Sequence, residues 1–144
     1  MEEAIVRYIH FMGIILLSSM LVAENILIST QLKNDTVKKL VTIDGLYGFG
    51  AIVTLTAGLL LWFSVGKPAL FYTNNSLFHI KLGLFLLIGL ASIIPTVFLF
   101  KHRRTTSDIV NIPHYIVFTK RLELLFLLAL PLLATLMARG IGSG

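Results

Sequence analysis

The chain has 144 residues, of which 56% are hydrophobic and 13% charged, with no cysteine and a formal net charge of +5. A soluble domain carries roughly 25% charged residues, so this composition excludes an ordinary soluble globule. The absence of cysteine removes disulfides, thiolate zinc sites and iron–sulfur clusters. The basic residues cluster in short segments beside apolar runs, where they act as orientation signals rather than as a nucleic-acid stripe.

Four apolar stretches predict an all-α, integral membrane four-helix up-and-down bundle. We read residues 1–144 as a single transmembrane domain with spans at about 5–30, 44–65, 77–100 and 114–138. Each is long enough for the ~20 residues that cross the hydrocarbon as a helix. Span 1 opens Met1-Glu2-Glu3 and runs too long for a signal peptide, so it is expected to be retained. Its residues Arg7, His10, Gly13, Ile14, Leu17, Leu21 and Glu24 share one face. Span 2 carries no charge after Asp44, which is expected to act as its N-cap. Residues 66–76 form a loop that the sequence places at the interface through Phe71 and Tyr72. Asn75-Ser76 caps span 3, which carries His79, Lys81 and Gly83 near its start and Pro95 inside. Span 4 carries Lys120, Arg121 and Glu123 in its first half and Pro131 further on.

Four spans return the C-terminus to the side of the N-terminus, here side A. Side B holds eight lysines and arginines (33, 38, 39, 101, 103, 104, 120, 121) against four on side A (7, 67, 81, 139). That excess predicts a cytoplasmic side B. The expected setting is a bacterial inner membrane, multi-pass, with both termini periplasmic.

His10 and His79 fall at one depth, near the side A ends of spans that run in the same direction. Ionisable side chains inside a bilayer are costly and mark sites. Each histidine has a glycine about a turn inward, Gly13 and Gly83, which would let a flat macrocycle approach the backbone. The arrangement suits haem b on edge between helices 1 and 3, with His10 and His79 as iron ligands. Arg7 and Lys81 would pair with its propionates, Lys81 by snorkelling back from another face. A copper or zinc site is less favoured, because only two imidazoles converge. His102 and His114 belong to the side B loop and are read as solvated.

A second polar layer, Glu24, Asp44, Arg121 and Glu123, lies toward side B. It is read first as a staple that orients helices, with a Glu24–Arg121 pair. A proton route from side B is the functional alternative.

The whole chain resembles an uncharacterised family of small four-helix bacterial membrane proteins. The resemblance rests on Arg7-Tyr8-Ile9-His10-Phe11-x-Gly13, on Phe71-Tyr72 with Phe78-His79-x-Lys81-Leu82, and on Met137-Ala138-Arg139-Gly140. More distantly the chain is similar to the haem-binding membrane protoporphyrinogen oxidase family and to the membrane domain of copper-resistance D proteins. The oxidase resemblance implies His10 as a haem ligand, His79 and Lys81 in the same site, and Arg121 with Glu123 as the helix 4 polar pair. This chain departs from that family at Leu17-Ser18-Ser19-Met20 and at Phe78, where a tryptophan would precede the histidine. The leading functional expectation is one-electron redox chemistry at haem b. A quinone or redox protein would serve as partner, and a homo-oligomer is a further partner this reading allows. The alternatives are porphyrinogen oxidation and a non-enzymatic accessory subunit of a membrane complex.

Overall fold

The computed structural model describes residues 2–65 and 76–139. Four long helices make up the chain: α1 (Glu2–Leu27), α2 (Asn34–Leu60), α3 (Ser76–Lys101) and α4 (His114–Ala138). Helix α2 continues into a π-helical turn, Leu61–Val65. By length and composition α1, α2 with its extension to Phe63, and α3 from Phe78 onward can each cross a membrane. Helix α4 carries Lys120, Arg121 and Glu123 in its first half and completes the bundle around them. The loop at 66–75, with Lys67, Phe71 and Tyr72, lies outside the described residues.

Helix α2 begins at Asn34, ten residues before the expected start. Asp44 is therefore not a cap but a buried residue inside the helix. Hydropathy alone treats Lys38 and Lys39 as loop. Both project outward, while Val37, Leu40 and Asp44 at helical spacing face the core.

The helices form a ring in chain order. Helix α1 packs most extensively on α2, and α3 on α4; α1 also meets α4, and α2 meets α3. Among the described residues α1 and α3 make no close backbone approach, nor do α2 and α4, so these pairs stand on the diagonals. The exposed surface is rich in Ile, Leu and Phe, including Ile26, Phe49, Ile52, Phe63, Leu90 and Leu128. That surface faces lipid, where apolar side chains cost nothing to expose.

At side B two short strands that hydropathy does not announce, β1 (Gln31–Lys33) and β2 (Ile109–Asn111), pair antiparallel with Leu32 opposite Val110. Three residues are too few to show a strand period, and only Leu32 and Val110 turn inward. They join a core of Ile28, Val37, Leu40, Leu99, Ile112 and Ile116. The ladder thus ties the α1–α2 connection to the α3–α4 connection.

Small residues set the α1–α2 crossing. A Cβ on Gly13 would lie 2.6 Å from Thr54 Oγ1 and 2.9 Å from Thr54 N. One on Gly50 would lie 2.8 Å from the backbone N of Leu17. Close approach of this kind replaces the hydrophobic effect as the source of helix association in lipid. Gly13, expected to admit a macrocycle, instead admits α2.

Gly50→Leu should lower the thermal midpoint of the detergent-solubilised protein, with a cost of about 1–3 kcal/mol for overpacking. Gly48→Ala, whose Cβ meets nothing within 4 Å, should leave it unchanged or raise it slightly through helix propensity.

Candidate functional site

Near side A, His10 points at α2. Its Nδ1 lies 2.9 Å from the carbonyl oxygen of Thr54. A carbonyl can only accept, so Nδ1–H donates, and in the neutral ring Nε2 keeps its lone pair. Gly58, one turn beyond Thr54, makes room for the ring: a Cβ there would lie 3.2 Å from His10 Cε1. One further turn along is Trp62, in the π-helical segment, whose ring is stacked on Phe63 at 4.2 Å. The same indole meets Phe78 edge-on at 4.8 Å and His79 edge-on at 6.4 Å between centroids. His10 and His79 thus flank adjacent turns at the end of α2, separated along it by roughly 6 Å at 1.5 Å per residue.

The other expected members of this site are spread more widely. Lys81 is half-buried in the first turns of α3. Arg7 pairs with Glu3 at 2.7 Å on the exposed side of α1. Gly83 faces open space, with nothing within 4 Å of a Cβ. Gly13 lies against Thr54. Gly58, Trp62 and the π-helical turn were not singled out from the sequence as site features. Gly58 could have been found as the small residue one helical turn from Thr54 in span 2.

The donor set suits haem in kind. A metal-ligating histidine characteristically donates its second ring N–H to a carbonyl or carboxylate, which fixes the ring and its tautomer. His10 has that arrangement. Among the described residues no three His, Asp or Glu side chains gather as metal ligands.

Toward side B lies a denser polar site. The ammonium of Lys120, fully buried, stands 3.0 Å from Asp44 Oδ1, 3.1 Å from Glu24 Oε2 and 3.5 Å from Glu123 Oε1. Lys120 extends from α4 to Asp44 on the diagonally opposite α2. Thr96 of α3 donates its hydroxyl to Asp44 Oδ2 at 2.6 Å. Tyr47 donates to Glu123 Oε1 at 3.0 Å, and its ring lies 4.6 Å from the same ammonium. All four helices meet here.

Three of the four residues expected in this layer, Glu24, Asp44 and Glu123, come together around Lys120. Arg121 does not pair with Glu24. Its guanidinium donates instead to the Asn25 carbonyl and side chain and toward the Ile28 carbonyl, capping the end of α1. Consecutive residues on a helix point about 100° apart, so only one of Lys120 and Arg121 can enter the centre. Charge counting alone groups Lys120 with the side B basic residues. Its spacing of three before Glu123, matched by Asp44 and Tyr47 three apart on α2, is the signal that picks it out.

A polytopic α-helical membrane protein with ionisable groups buried inside the bundle is the class these features define. The chain belongs to the family described as "Predicted membrane protein (DUF2214)", whose model matches residues 2–142. That description names a membrane setting and no activity. No curated protein and no solved structure matches the chain.

Lys120→Met should strip three carboxyls of their shared counter-charge and cost about 3–5 kcal/mol, read as a large fall in thermal midpoint. Tyr47→Phe should cost less, about 1–3 kcal/mol, by leaving a buried Glu123 oxygen without its donor.

Proposed function

We propose that the protein is a b-type haem membrane protein serving one-electron redox chemistry, in which His10 and His79 would hold the haem iron. The observation that carries this reading is the Nδ1 contact of His10 with the Thr54 carbonyl, at 2.9 Å. It presents Nε2, the nitrogen able to bind iron, in a fixed orientation. The position of His79 against Trp62, one turn from Gly58, supports it. So does the π-helical turn at this place, since such turns recur at functional sites.

Bound haem would supply the one-electron chemistry, and the protein its ligation and orientation. In this reading Thr54 holds the His10 ring and Gly58 gives it room. Lys81 and Arg7 supply positive charge for acidic substituents, and the open face at Gly83 leaves space beside α3. A single redox group near one face implies a quinone or a redox protein to complete the electron path. The excess of basic residues in the side B connections supports a reading with both termini in the periplasm of a bacterial inner membrane.

Protein purified from haem-replete cells should show a Soret band and a reducible α band. His10→Ala should abolish both, His79→Ala should abolish or shift them, and Gly58→Val should lower haem content by crowding the His10 ring. A colourless wild-type protein, or a spectrum unaltered in His10→Ala, would overturn the proposal. Rescue of a strain lacking protoporphyrinogen oxidase would identify the enzymatic alternative; stoichiometric co-purification, indifferent to both histidine substitutions, would identify the accessory-subunit alternative.

A further inference from the structure

The side B site holds three carboxyl groups against one ammonium. With all of them ionised, it would carry two uncompensated negative charges among side chains no more than 5% exposed. Even a single uncompensated charge at the centre of a membrane helix is costly. A staple between helices needs only a balanced pair, and even that is weakly favourable once desolvation is counted. The surplus of acids calls for a different account.

The hydrogen bonds locate the surplus. Asp44 accepts from Lys120 Nζ at 3.0 Å and from Thr96 Oγ1 at 2.6 Å, and is served as a carboxylate. Glu123 accepts from Tyr47 on Oε1, while its Oε2 is buried with no hydrogen-bond partner among the described residues. Glu24 is 0% exposed. Lys120 lies 3.1 Å from its Oε2 but without hydrogen-bond alignment, and neither of its oxygens has a hydrogen-bond partner among the described residues. The carboxyls of Glu24 and Asp44 both stand against the same ammonium, at 3.1 and 3.0 Å. An ionised carboxylate only accepts, and a proton on Glu24 removes one of the surplus charges and turns one of its oxygens into a donor.

The site is not sealed on every side. A cleft of about 350 Å³ between α2 and α3 is lined by Asp44, Tyr47, Ser92 and Thr96, and by Val41 and Phe100 toward side B. The glycines Gly45 and Gly48 on its α2 wall have nothing within 4 Å of a Cβ. Buried water generally needs two to four polar partners, and these four side chains can offer them.

We propose that Glu24, Asp44, Glu123 and Lys120 form a proton-binding site, with one proton held on Glu24 and a second taken at Glu123 Oε2. Protons exchange with side B through the α2–α3 cleft. Arg121, next to Lys120 on α4, is bound to the end of α1 and lies outside the cluster. The proposal does not depend on haem.

Infrared difference spectra of the reconstituted protein over a pH series test this directly. The expected result is a protonated-carboxyl C=O band in the folded wild type at neutral pH, which shifts in D₂O and declines as pH rises. Glu24→Gln should remove its main component and Glu123→Gln the other, while His10→Ala leaves both. Gln reproduces the neutral form of Glu24, so Glu24→Gln should fold with a thermal midpoint equal to or above that of wild type. Three results would overturn the proposal: no such band in the wild type, a band untouched by both Gln substitutions, or a band constant across the pH range in which the protein stays folded.

Discussion

The contact on which the bundle depends is the Lys120 ammonium at its centre. An apolar helix in lipid gains little from burying more apolar surface, so helix association in this chain needs other forces. Lys120 supplies one by drawing together carboxyls from α1, α2 and its own helix, and Thr96 extends the network to α3 through Asp44. The α1–α2 glycine crossing supplies the other, through close backbone approach. Charge sets which helices face the axis; small residues set how near they come.

These two devices divide the molecule by depth. Toward side B the ion cluster, the β1–β2 ladder and the apolar core around Leu40, Leu99 and Ile116 lie within a few turns of one another. Toward side A the described contacts are aromatic and imidazole: His10 on Thr54 and Gly58, and Trp62 against Phe78 and His79. The end built to hold charge is compact, whereas the end that would hold a planar cofactor keeps an open face at Gly83.

The helical membrane architecture was legible in the sequence because twenty-residue apolar runs have few other solutions. His10 and His79 could be set at similar depth because chain direction and span position fix depth, and both do border the end of α2. What those faces touch was not legible. Gly13 and Gly83 look equivalent in sequence, yet one is pressed against Thr54 and the other meets nothing. Asp44 was misjudged because hydropathy averages over Lys38 and Lys39, although helical spacing keeps both outside. Lys120 and Arg121 are adjacent cations, and only the rotation of α4 decides which one enters the centre.

The ladder between β1 and β2 has a mechanical consequence. It clasps the two helical hairpins at one end, and each hairpin packs more extensively within itself than against the other. The pair therefore resembles tongs, with the fulcrum at Leu32 and Val110 and the jaws at side A. From Lys101, the end nearest the ladder, to Ser76, α3 is a lever of roughly 38 Å at 1.5 Å per residue. A tilt of about 5° at the fulcrum would part the jaws by roughly 3.3 Å over that length. Movement too small to break an ion pair at one end would be amplified into a change of aperture around His79 at the other.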